Sequence, residues 1–230
     1  MKSLFARLIG LAMLALGGAA PGHSSAAAQD SEGLVAYRSE MASLRSAHAS
    51  SGSPISFSAG LRRRVDVDQA ARQAYVKAMR SEGSQSASAR LIAADIQQID
   101  ADNTDYLKAN LPSDGWFRNS RDGEQTTTDA WLIVQHSPDQ SFMQEVLSRM
   151  EPLAKQGEVS GRDYALLFDR VEMFNNRPQR FGSQVVCTNG ARSFYRLEDA
   201  AAVDRLRLEV GHPETFAATA TRLRVGDPCS

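Results

Sequence analysis

Residues 126–155 read TTTDAWLIVQHSPDQSFMQEVLSRMEPLAK, and the fold class turns on them. Ala130, Trp131, Ile133 and Val134 repeat at helical spacing, so Thr126 to His136 reads as a compact helix. Ser137-Pro138-Asp139 interrupts it. Proline cannot continue a helix, and Asp139 is placed to cap the next one. Phe142, Val146, Leu147 and Met150 then share one face from Gln140 to Lys155, and Gly157 ends the run.

The same period extends in both directions. Upstream, Ile92, Ile96, Ile99, Asn103 and Tyr106 recur at steps of three or four, one stripe of a helix reaching about Asn110. Before it, Ala70, Ala71, Ala74, Tyr75 and Met79 follow Asp66 and Asp68, either of which is a fit N-cap. Arg62-Arg63-Arg64 reads as the solvated start of that helix. Leu34, Val35, Met41 and Leu44 predict a helix over 33–47, followed by the flexible break Ala49-Ser50-Ser51-Gly52-Ser53-Pro54. Trp116 to Gly123 reads as a loop. Downstream, Ser160 or Gly161 opens a helix with Tyr164, Leu167, Phe168, Val171 and Phe174 on one face, closed by Asn175-Asn176-Arg177-Pro178. There the period changes. Gln184 to Thr188, Asn189-Gly190 and Arg192 to Leu197 read as a hairpin, because both residues of an Asn-Gly turn accept positive φ. Helical spacing returns over Ala200 to Val210 and Pro213 to Leu223. These readings predict a mainly α, multi-helix globular domain of six or seven helices with one small β-hairpin near residues 184–197.

Lys2 and Arg7, the 13 apolar or small residues from Leu8 to Ala20, and Ala26-Ala27-Ala28 have the three parts of a secretory signal. A membrane-spanning helix needs roughly 20 apolar residues. The chain divides into a signal peptide over 1–28, an N-terminal helix and flexible linker over 29–60, and a helical domain over 61–230. Export to the periplasm or beyond is the expectation, without stable membrane insertion. In an oxidising compartment the only two cysteines, Cys187 and Cys229, are most simply an intramolecular disulfide. A metal site is the rival, but two sulfurs with no CxxC or neighbouring His support zinc poorly. The formal charge of −1 becomes −3 once Lys2 and Arg7 leave with the signal. That balance gives no reason to expect nucleic acid, whose binders usually carry a basic face.

No GxSxG, HExxH, Walker A or GxGxxG pattern is present, and the chain after residue 28 holds only His48, His136 and His212. Chemistry must come from scattered polar residues. His136 and Gln135 stand where a helix ends. Asp129 lies two turns before His136, too far for direct contact, and an imidazole at a helix C-terminus is also a natural dipole-stabilised cation. Asn103 interrupts an apolar stripe, either as a ligand contact or as a structural hydrogen bond. Asp169 and Arg170 flank the apolar face of their helix, where Arg170 can fork onto a substrate carboxylate or pair within the protein. Gln179 to Gln184 places two amides and a cation around Gly182.

In order along the chain, several pieces resemble the bacterial family called domain of unknown function 6624. They are Asp68-Gln69 with Arg72; Asp100, Asn103, Thr104, Leu107 and Lys108; Gly115-Trp116; Ala130 to His136; Gly157-Glu158-Val159; Tyr164-Ala165; Asp169-Arg170-Val171; and Gln179 to Gln184. The resemblance covers roughly 66 to 184, with a weaker echo in Glu198-Asp199 and Val203 to Gly211. Ser137-Pro138, Phe181 and Ser183 depart from its pattern, and 119–127 fits it poorly. The resemblance implies a helical domain whose polar residues form one set. It supplies no reaction.

Two functions fit this reading. One is an enzyme acting on a small polar or peptide-like substrate, with His136, Asp169 and Arg170 as catalytic residues and Asn103, Trp116, Gln135 and Gln184 binding the ligand. The other is a non-catalytic envelope protein that binds a ligand or partner through the same set. Neither calls for a metal or another cofactor.

Overall fold

The computed structural model describes residues 31–49 and 55–229. The expected signal peptide and positions 50–54 of the break lie outside the described residues. The described chain is mainly α: α1 Glu32–Ala49, α2 Phe57–Glu82, α3 Ala87–Ala109, α4 Asn119–Asp122, α5 Glu124–His136, α6 Gln140–Lys155 and α7 Gly161–Phe174 come first. The hairpin β1 Val185–Thr188 and β2 Ala191–Phe194 follows, then a 3-10 turn over Ala200–Ala202, α8 Val203–Glu209 and α9 Phe216–Leu223.

Where cap and stop residues bracket a segment, the helix bounds follow them. Asp139 accepts from the Phe142 amide at 2.9 Å, and Ser160 caps α7 through the Asp163 amide at 3.2 Å. In the hairpin Val185 pairs with Phe194 and Thr188 with Ala191, and Asn189 and Gly190 both take positive φ, as an Asn-Gly turn requires. Two differences from the sequence reading matter. The segment 116–123 contains the single helical turn α4. More important, α2 begins nine residues before Asp66. Ser56 caps it by accepting from the Ala59 amide, and Leu61 and Val65 already belong to the core. Arg62, Arg63 and Arg64 therefore lie inside a helix and are partly buried, and Asp68 is in mid-helix, not at a cap.

Two apolar clusters hold the helices. One joins Leu34, Tyr37 and Met41 of α1 to Ala70, Ala71 and Ala78 of α2 and Ile92, Ile96 and Ile99 of α3. The larger one centres on α5 and gathers α6, α7, the start of α2 and Val210 just after α8 around Trp131, Met143, Met150 and Leu167. α5 packs against α2, α3, α6 and α7 and is buried almost along its whole length. Its C-terminal end is thus surrounded by four other helices, and any polar group there must find partners in protein. Cys187 and Cys229 form a disulfide with a Cα–Cα distance of 6.0 Å, fastening the chain's end to β1. No helix among the described residues is long and apolar enough to cross a membrane.

Candidate functional site

The polar residues at the end of α5 meet charged side chains from α2, α3 and α7. His136 Nδ1 lies 3.1 and 3.0 Å from the two carboxylate oxygens of Asp68. Arg72, one turn further along α2, donates from Nε to Asp68 Oδ1 at 2.9 Å and from Nη2 to Asp100 of α3. Gln69 Nε2 donates to the other Asp68 oxygen at 2.6 Å. Arg170 of α7 donates from Nη1 to the Gln135 carbonyl at 3.1 Å, one of the orphan carbonyls at the end of α5. With its amide oxygen turned toward Arg170, Gln135 also accepts from Nε at 2.7 Å and Nη2 at 3.3 Å. The result is a chain of contacts His136–Asp68–Arg72–Asp100 with a second guanidinium beside it.

The cluster is deep. The side chains of Asp68 and His136 are 3% and 7% exposed, whereas those of Arg72 and Asp100 are 12% and 14% exposed and form its solvent edge. Burial raises the Asp68 carboxyl, but His136 and Arg72 outweigh it and hold it down to about 2. Burial, together with the neighbouring Asp68 charge, pushes Asp100 up to about 7 against the pull of Arg72. Burial also drives His136 down to about 4; Asp68 opposes this, while Arg72 and Arg170 reinforce it. The imidazole is therefore neutral at pH 7, since burial disfavours its charged form. Because an ionised carboxylate only accepts, the imidazole proton sits on Nδ1. Burial and Arg72 lower Arg170 to about 10, which leaves it cationic.

Asp68, Asp100 and His136 present ligand atoms within 4.8 Å of one another, the reach of a metal site. Arg72 bonds both of these carboxylates, and Arg170 adds a second positive charge.

The structure brings His136, Gln135 and Arg170 together and separates them from Asp169. Adjacent helix residues diverge by about 100°. Asp169 instead accepts from the backbone amides of Arg180, Phe181 and Ser183 at 2.8, 2.9 and 2.8 Å, clipping the loop before the hairpin to α7. Gln184 belongs to the same clip: its amide N–H donates to Gln179 Oε1 at 2.8 Å and its side chain to Ser183 Oγ at 3.0 Å. Trp116 is buried edge-on to Phe117, which stacks on Phe57. Asn103 lies three residues after Asp100 and accepts from Arg64 Nη1 at 3.2 Å. Asp129, too far along α5 for His136, pairs with Arg62 at 2.9 Å.

Asp68, Arg72 and Asp100 were not singled out as site residues by the sequence reading. A signal existed. Leu61, Val65, Asp68 and Arg72 follow steps of four, three and four, which puts two charges on the buried stripe of α2. Charges at core spacing are costly unless paired, and such positions are candidates for a site.

Comparison with curated proteins and with solved structures finds no match. A family model described as a family of unknown function matches residues 59–220, a span that takes in the cluster and the clip from Asp68 to Gln184. The chain belongs to that family of unknown function, DUF6624.

Proposed function

We propose that the polar cluster is the acid–base site of an exported enzyme acting on a small polar substrate that carries an anionic group. The observation behind this reading is the contact chain His136–Asp68–Arg72–Asp100 with Arg170 beside it. Asp68 orients the imidazole and keeps the proton on Nδ1, which leaves the basic lone pair on Nε2. Asp100, held near 7 at the solvent edge, gains and loses a proton in the working range of an acid–base group. Arg72 keeps Nη1 buried without a hydrogen-bond partner among the described residues, and with Arg170 it is the natural holder of an anion. Gln135 positions Arg170. Asp169 and Gln184 keep the loop before the hairpin in place. Burying two carboxylates and two guanidiniums is a poor way merely to join helices, since apolar replacements are often neutral or stabilising. The disulfide supports an oxidising compartment.

A second reading, non-catalytic binding of a ligand or partner, is favoured by one fact: the His136 side chain is only 7% exposed. One experiment separates the two. A thermal-shift screen against small carboxylates, phosphate esters and peptides identifies a stabilising compound, and NMR then follows that compound for turnover. The enzyme reading expects turnover that His136→Gln abolishes while binding persists, and a stabilisation that Arg170→Gln removes. Binding without turnover supports the second reading, and turnover surviving in His136→Gln contradicts the first.

A further inference from the structure

The two helices that carry Asp68 and Asp100 present a different face to an open cleft. On α2, Gly60, Arg64 and Val67 lie about a third of a turn from the stripe of Leu61, Val65, Asp68 and Arg72; on α3, Ile99, Asn103 and Tyr106 are displaced from Asp100, Thr104 and Leu107 in the same way. α1 covers this face of α2 and α3 along most of its length, through Leu34, Tyr37 and Met41. The cleft, about 480 Å³, opens where the last turns of α1 bring Arg45 to its rim. That volume falls in the range of small-molecule sites, about 300–1,000 Å³.

Its lining is uneven in charge. Among the described lining residues, Arg45 and Arg64 stand with one carboxylate, Asp102, which itself accepts from Gln98 Nε2 at 2.8 Å. Arg64 is held in a fixed plane: its guanidinium carbon stands 4.0 Å from the centroid of the Tyr106 ring, and Nη1 donates to Asn103 Oδ1 at 3.2 Å. Only one of a guanidinium's five N–H donors is spent in that contact. Val67, Ile99 and the Tyr106 ring supply an apolar wall beside the cations.

We propose that this cleft binds a small dianion with an apolar body, a phosphate monoester or a dicarboxylate, with Arg64 as the oriented fork and Arg45 at the rim completing the charge. A planar fork pre-set by stacking loses little freedom on binding an oxyanion, so it is suited to bidentate recognition. The inference does not depend on the acid–base reading of the buried cluster, and the two fail separately.

The test is calorimetric titration of the purified protein with phenyl phosphate, with phthalate and with neutral benzyl alcohol at constant ionic strength. Saturable binding of at least one dianion, and none of the alcohol, is expected, and the stronger of the two dianions identifies the ligand's acid group. Arg64→Gln should weaken that binding about tenfold or more, as loss of a charged hydrogen bond does; Arg45→Gln should weaken it as well, and His136→Gln should leave it unchanged. If Arg64→Gln melts well below the parent, Arg64→Lys replaces it: the charge stays, the fork is lost, and binding still weakens. The inference is overturned if neither dianion saturates, if the alcohol binds equally well, or if Arg170→Gln abolishes binding while the Arg64 variants retain it, since the anion would then sit in the buried cluster.

Discussion

Asp100 and His136 share one cluster, yet burial drives the carboxyl up to about 7 and the imidazole down to about 4. Their effects on stability therefore oppose each other. The native imidazole binds its proton more weakly than the unfolded one, so its contribution is present above about pH 6.5 and is lost as pH falls toward 4. The native Asp100 carboxyl binds its proton more tightly than the unfolded one, so its contribution is present below about pH 3.8 and is lost as pH rises toward 7. Between about pH 4 and 6.5 the proton that the unfolded chain carries on the imidazole resides, in the native chain, on Asp100. Two variants separate these effects. Relative to the parent, Asp100→Asn should gain stability as pH rises through that window, and His136→Gln should lose it, each with a slope approaching about 1.4 kcal/mol per pH unit. Asp163 and Asp169, both raised to about 6 by burial, act alike in all three proteins and cancel in the differences. Urea unfolding across the window measures the slopes, and parallel curves would show that the two groups are not coupled in this way.

At the scale of elements, the close approach of α7 to the end of α8 depends on Gly161. A Cβ there would fall 1.6 Å from the Val210 carbonyl oxygen. Gly161→Ala should cost about 1–3 kcal/mol, as overpacking does, seen as a lower urea midpoint at unchanged slope; an unchanged midpoint would mean the two helices part without cost. The bounds of α6 and α7 were legible because Asp139, Gly157 and Ser160 mark them with cap and stop chemistry. The start of α2 was not. Leu61 and Val65 continue the apolar stripe, but three consecutive arginines lie between them, and two of these are held in part by other helices: Arg62 pairs with Asp129 of α5 as well as with Asp66 of its own helix, and Arg64 stacks on Tyr106 of α3. Asp68 looked like a cap for the same reason: its partner His136 is 68 residues away.

At the scale of the whole molecule, the site was half visible. His136, Gln135 and Arg170 stood out because they sit at a helix end or beside an apolar stripe. Asp68, the partner of His136, occupies a core position on α2 and Asp100 the solvent edge on α3, and only the packing of α5 between α2, α3 and α7 brings these groups together. Gln179 to Gln184 reads in the sequence as two amides and a cation around Gly182, whereas in the fold the Gln179 amide and the Asp169 carboxylate are spent on backbone and the Gln184 side chain on Ser183 Oγ. The disulfide completes this C-terminal region. Linking residues 42 apart restrains the unfolded chain by about 4 kcal/mol in the chain-entropy model. Cys229→Ser should therefore lower unfolding free energy by about 2–5 kcal/mol, and a reducing agent should destabilise the parent but not the variant. Equal sensitivity of both proteins would contradict the bond.

The account stands on a neutral imidazole clamped by Asp68 within the four-helix cluster, and nitrogen-15 NMR of His136, assigned by its loss in His136→Gln, tests this most directly. The expected result is a neutral ring with its proton on Nδ1 and no titration between about pH 5 and 8. A ring that titrates near its ordinary value of about 6.5, or carries its proton on Nε2, would contradict it.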